Sequence, residues 1–175
     1  MRIILVRAIN VGGARLPMAL LRQLAEELGA TDVTTFIASG NLLCTPPADA
    51  NAVETFDSDL EAAIQRECGF YREVISRDVH EAQQALDEHP FEVINPKFSY
   101  ISFMNGIPSP ENIERARGFD TGDDCWDIIG SNLHIRYAHG AGQAHMPVGS
   151  LGRALGVPTT ARNLNTVRKL IELAS

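Results

Sequence analysis

The chain is poor in cysteine, and the three it has are badly spaced for a covalent scaffold. Cys44, Cys68 and Cys125 form no CxxC pair and are odd in number. That argues against a disulfide framework and a structural zinc site, and fits reduced thiols in a reducing compartment. Long apolar runs are missing too. The N-terminus MRIILVRAINVGG opens with an apolar stretch of only four residues, Ile3 to Val6, too short for the apolar region of a signal peptide. Nothing elsewhere approaches the run of about 20 residues needed to span a bilayer. A cytoplasmic protein without membrane association is expected by default, with no address signal behind it.

With 175 residues the chain is one large domain or two small ones, and its 45% hydrophobic and 21% charged residues are ordinary for a globular protein. A chain this long buries roughly 70% of its unfolded surface, so folding needs neither disulfide nor metal. The formal net charge of −7 is uneven. Residues 1–25 carry Arg2, Arg7, Arg15 and Arg22 without an acid, a net +4. Residues 146–175 carry Arg153, Arg162, Arg168 and Lys169 against Glu172, a net +3, which leaves −14 for the middle. Bulk electrostatics therefore disfavour nonspecific binding to nucleic acid or anionic lipid, while a local basic site built from the two ends stays open.

The pattern predicts α+β structure. Residues 2–8 read as a buried strand and residues 10–13 as a loop. Pro17 opens a helix with Leu20, Leu21, Leu24 and Leu28 on one face, and Gly29 caps it. Residues 33–37 and 42–45 form a hairpin around Ser39-Gly40-Asn41. Asn51 with Glu54 resembles a capping box for the next helix, which Gly69 stops, and residues 72–76 are a further strand. The order βαββαβ is the ferredoxin-like pattern. Asp78 and Glu81 open a third helix that ends before Pro90, where a boundary is placed. Beyond it come a strand at 98–104, a helix started by Ser109 and Pro110, a hairpin of 126–129 with 133–137, a helix near 148–155, and a last helix capped by Asn163. The second half reads βαββα. Two ferredoxin-like subdomains, residues 1–90 and 91–175, are expected. The turns Ser39-Gly40-Asn41-Leu42 and Gly130-Ser131-Asn132-Leu133 look alike, as an ancient duplication or simple turn chemistry would each make them.

Three stretches, RAINVGG (7–13), SGN (39–41) and TARNLNTVRKL (160–170), in this order and spacing resemble the bacterial DUF1697 family over nearly the whole chain. The resemblance implies two ferredoxin-like subdomains and no particular chemistry. Ala8 stands where the family usually has glycine and Leu164 where it often has tryptophan. The loop from Gly140 to His145 lacks the Arg-Ser-Lys type of sequence that often sits there in the family, so if that loop supplies a cationic ligand contact in relatives, the contact is lost here or replaced by His145.

Candidate chemistry gathers in loops. The entrance to the last helix offers unpaired first-turn amides and a dipole of roughly +0.5 charge, to which Arg162 and Arg168 add charge-assisted contacts for a phosphate or carboxylate. The plainer reading is that Asn163 merely caps the helix while Arg168 and Lys169 are solvated or salt-bridged. Gly12 and Gly13 let the backbone approach a ligand or form an anion-binding nest. No Gly-Lys-Ser/Thr follows, so this is not a P-loop. The plainer reading is a strand-to-helix turn in which Asn10 bonds its own backbone. Ser39 lacks a nucleophile elbow and suits a hairpin turn, where Asn41 is placed to orient a ligand. No histidine pair has metal-ligand spacing. His139 and His145 could meet across a loop, but no metal or cofactor is expected. His134 and Arg136 alternate with Leu133, Ile135 and Tyr137, so they should face solvent or a ligand.

The favoured expectation is binding of a small anionic or phosphate-bearing ligand by Asn10, Gly12, Gly13, Ser39, Asn41, Arg162, Asn163 and Arg168. On that reading Arg162→Ala and Asn10→Ala weaken binding with little change in melting temperature. An RNA-binding module is disfavoured, because residues 3–6 and 42–44 carry no stacking aromatic, although Phe98 and Tyr100 lean the other way. A noncatalytic assembly protein, pairing its sheet edges into a homodimer, stays open. No constellation identifies a reaction, so whether the chain is an enzyme is undecided by its sequence.

Overall fold

A computed structural model describes all residues, 1–175. It contains two four-stranded antiparallel sheets and six α-helices. The chain divides into two compact units, Met1–Gln83 with Lys169–Ser175, and Gln84–Arg168. No helix is long and apolar enough to cross a membrane.

The first unit contains β1 (Arg2–Val6), α1 (Met18–Glu27), β2 (Thr31–Phe36), β3 (Asn41–Thr45), α2 (Ala50–Cys68) and β4 (Val74–Asp78), with strands ordered β2-β3-β1-β4. Alternate residues of a strand share a face. Ile4, Val6, Leu42, Cys44 and Val74 accordingly pack in one cluster with Leu21 and Leu24 of α1 and with Phe56, Leu60 and Ile64 of α2. Burial pushes the Cys44 thiol up to about 11, so it stays protonated and serves as an apolar filler.

Local signals set most helix ends. Asp78 and Glu81 form a reciprocal capping box, 2.8 and 2.7 Å, at the start of α3 (Val79–Asp87). Gly69 closes α2 with φ of 76°. The start of α2 differs from the expectation. Asp49 is the cap, accepting from the Ala52 amide at 3.0 Å, so the helix begins before Asn51. An Asp side chain just after the Pro46-Pro47 break is already placed to accept that amide, and Asn51 is left inside the first turn.

The second unit contains β5 (Ser99–Met104), α4 (Pro110–Arg117), β6 (Cys125–Ile129), β7 (Asn132–Arg136), α5 (Val148–Leu155) and β8 (Thr159–Asn163), ordered β6-β7-β5-β8. The last helix, α6 (Leu164–Ala174), follows β8 directly. Met104, Leu133, Ile135 and Tyr137 pack with Leu151 and Leu155 of α5, and Tyr100 and Trp126 join them. Ser109 caps α4 through the Asn112 amide at 3.2 Å.

Two expectations change here. Residues 159–163 form a strand, where the pattern suggested only the lead-in to a helix. Thr160 pairs with Phe103 and Arg162 with Ile101, filling an edge that β5 would otherwise leave unbonded. His134 faces neither solvent nor open space. It is fully buried, with Nδ1 3.2 Å from Nδ1 of His89.

Candidate functional site

Two of the three motif stretches meet in one corner of the first unit. Where β1 ends, the Val6 amide donates to the Gly40 carbonyl at 2.9 Å, which brings the β2–β3 turn beside the loop that follows β1. Gly40 is required there. Its φ is 77°, and a Cβ would lie 2.7 Å from Ile9 Cδ1 and 3.0 Å from the Val6 carbonyl oxygen. Gly40→Ala is expected to lower stability by about 2 kcal/mol, read as a shifted urea midpoint at unchanged slope.

Asn10 locks the loop. Its Nδ2 donates to the carbonyls of Leu16 at 3.1 Å and Ala38 at 2.6 Å, and its Oδ1 accepts from the Leu16 amide at 3.0 Å. Asn10 thus reaches Ala38, 28 positions along the chain, and ties the turn to the loop. Its side chain is spent on these contacts within the protein, so it braces the loop. Asn41, fully buried, likewise donates to the Phe36 carbonyl and to Ser39 Oγ, both at 3.0 Å, and so braces the turn.

The backbone of this corner is unusual. Ala8, Asn10, Gly12 and Gly13 in the loop, and Ile37 and Gly40 in the turn, all have φ between 47° and 93°. For a β-branched residue such as Ile37 this is a true outlier. Nothing lies within 4 Å of a Cβ built on Gly12 or Gly13, so packing does not demand glycine there; conformation does. Their amides donate to no other backbone group. Asn10, Gly13, Ala14 and Arg15 line a concavity of about 470 Å³.

The charges around it differ in how far they are committed. Arg7 Nη1 lies 3.1 Å from both carboxylate oxygens of Glu73. Arg72 donates to the Ala8 carbonyl at 3.2 Å and stacks over Phe70 at 5.2 Å. Arg15 is exposed and has no hydrogen bond or ion pair. Arg15 was missed in the sequence. Its position two residues beyond the glycine pair was the available signal.

The third motif lies at the β8–α6 junction, in the second unit. Arg162 is a strand residue, 8% exposed, with Nη1 donating to Thr160 Oγ1 and the Ala161 carbonyl at 2.8 Å each. Burial lowers its pKa to about 10. Asn163 Oδ1 accepts from the Thr166 amide at 2.9 Å and is a helix cap. Arg168 is exposed on α6. His145 Nε2 lies 3.3 Å from Asp120 Oδ2, and no group of three or more His, Cys, Asp and Glu side chains is placed to hold a metal ion.

The family model described as "Protein of unknown function (DUF1697)" matches residues 1–134. The chain belongs to this family. The match takes in both motifs of the first-unit corner and stops before the β8–α6 motif. Among solved structures, the DUF1697 chain is similar to the conserved bacterial protein SP0830 from Streptococcus pneumoniae. Identity is 22%, with 99% of this chain and 98% of that chain covered and a TM-score of 0.72, a likeness of fold. No curated protein matches the chain.

Proposed function

We propose that the protein binds a small phosphate- or carboxylate-bearing anion at the loop between β1 and α1. One observation carries this reading. The loop holds Gly12 and Gly13 in left-handed conformations, in a turn closed by the Ala14 amide on the Val11 carbonyl at 3.3 Å, and leaves their own amides unbonded beside the unpaired Arg15. Successive amides in such a conformation form a concavity for negative charge. Strained backbone persists where surrounding contacts over-determine it, and Asn10 supplies those contacts. In this reading Asn10, Ser39 and Asn41 shape the site, Gly12, Gly13 and Arg15 touch the ligand, and Arg162 and Asn163 serve the sheet and helix of the other unit.

We also infer that each unit is a ferredoxin-like half. The element orders β1-α1-β2-β3-α2-β4 and β5-α4-β6-β7-α5-β8, and the matching strand orders of the two sheets, support that assignment. Such a scaffold offers loops on rigid strand ends, where binding residues commonly sit.

Isothermal titration with inorganic phosphate and a sugar phosphate at low salt tests the binding. A charge-assisted hydrogen bond is worth about 1.5–3 kcal/mol, so Arg15→Ala should raise Kd about ten- to a hundredfold with the melting temperature unchanged. Equal affinity in the variant and the parent would remove Arg15 from the site.

A further inference from the structure

We propose that the second unit holds a separate binding site for a small organic carboxylate with an apolar body, anchored on Arg136. It does not depend on the anion site in the first unit. The space is a cavity of about 890 Å³ lined by Ile94, Pro96, Phe98 and Tyr137 together with Cys125 and Arg136. That volume suits a small molecule, and mostly apolar walls with few polar anchors are what such sites use.

Arg136 is the decisive residue. A guanidinium carries five N–H donors, and here the protein meets them with a single contact, Nη2 to Cys125 Sγ at 3.4 Å. Its Nε is buried and has no acceptor. Ser99, directly opposite Arg136 on β5 and 1% exposed, also leaves its Oγ unbonded. The nearby acids are engaged elsewhere or out of reach. Asp127 pairs with Arg117 at 3.1 Å. Asp124 accepts from the amides of Ala138, His145 and Met146 at 2.8, 2.8 and 3.0 Å. Asp123 lines the cavity but makes no ion pair with Arg136. A buried charged donor without a partner is costly, and native chains rarely keep one without a reason. An acceptor brought in by a ligand supplies that reason.

The walls are already in place. Asp124 ties the loop after β7 to the start of β6 through those three amides. The Tyr137 amide donates to the Phe98 carbonyl at 2.9 Å, and Tyr137 packs edge-on against Tyr100 at 5.3 Å. Gly140, with φ of 88°, admits the Phe98 ring where a Cβ would lie 3.0 Å from Cε1. One guanidinium matches one carboxylate, two donors to two oxygens. A phosphate dianion would need further cations, and Asp123 repels two negative charges more strongly than the single charge of a carboxylate. The alternation of Arg136 with Leu133, Ile135 and Tyr137 left solvent and a ligand equally open; that its Nε is buried without an acceptor was not legible in sequence.

The test is an NMR titration of the full chain with phenylacetate, hexanoate and their neutral amides. The acids should shift residues 94–98, 122–125 and 136–138 and bind about tenfold more tightly than the amides. Arg136→Gln should abolish that preference. A second measurement needs no variant. Iodoacetate and iodoacetamide each alkylate a thiol, forming the S–C bond as iodide leaves and the thiol proton passes to solvent. The rate ratio of iodoacetate to iodoacetamide should be about tenfold higher at Cys125 than at Cys68, and phenylacetate should suppress it. Amides binding as well as acids, or equal ratios at the two thiols, would overturn the proposal. Arg15→Ala should leave both readouts unchanged, which separates failure here from failure of the first-unit site.

Discussion

Replacing Asn10 with alanine is expected to cost about 3 kcal/mol and to abolish measurable phosphate binding together. The substitution removes three side-chain hydrogen bonds at once. It leaves the amide of fully buried Leu16 without an acceptor and the Ala38 carbonyl without a donor. It also puts alanine at φ of 57°, a conformation that asparagine tolerates better. The turn carrying Gly40 then loses one tie to the loop, and the amides of Gly12 and Gly13 lose their fixed direction. Asn10→Asp separates the two effects. It keeps the acceptor for Leu16 but loses the donors and adds a negative charge, so binding should fail at a smaller stability cost. Chemical denaturation and titration on the same variants read both quantities. This revises the sequence-based expectation that Asn10→Ala spares stability.

A second large effect is expected below neutral pH. His134 is fully buried, and burial, then the neighbouring His89, lowers its pKa from 6.5 to about 4. His89 is lowered as well, by burial and then by Arg168. Glu88 and Asp127 pull His134 the other way without winning. The Nδ1–Nδ1 hydrogen bond needs one ring to donate and the other to accept, so two imidazolium rings cannot make it. With a folded pKa below the unfolded one, the unfolded chain takes up the proton first. The pair's contribution is therefore complete above about pH 6.5, declines as pH falls, and levels off near 4. A shift of this size corresponds to roughly 3 kcal/mol across that window. Urea midpoints from pH 7.5 to 4 should fall steeply in the parent and less steeply in His134→Gln. The difference between the two isolates the pair from carboxylates that titrate nearby.

What the sequence made legible was local. Capping boxes, proline starts and glycine stops depend on residues within one turn, so Asp78 with Glu81, Ser109 with Pro110, and Gly69 could be read directly. What it hid depends on distant partners. β8 is five residues long, and its Thr-Thr-Ala-Arg-Asn composition carries no strong signal of its own; pairing with β5 makes it a strand. Arg162 read as a ligand-contacting cation at the entrance to the last helix, and that same pairing places it in the sheet. Asn10 and Ser39-Gly40-Asn41 were recognisable as motifs, yet only the fold brings them together through Ala38 and shows that their side chains brace the backbone. Arg15 and Arg136 were hard to find for the same reason: the informative property is the absence of a partner.

The central claim is that the amides of Gly12 and Gly13, with Arg15, receive an anion. A low-salt phosphate titration followed by backbone amide resonances tests it most directly. Saturable shifts at residues 11–15 and 38–40 are expected, moving to about ten- to a hundredfold higher phosphate concentration in Arg15→Ala. Resonances that stay still there, or shifts that persist unchanged in the variant, would contradict it.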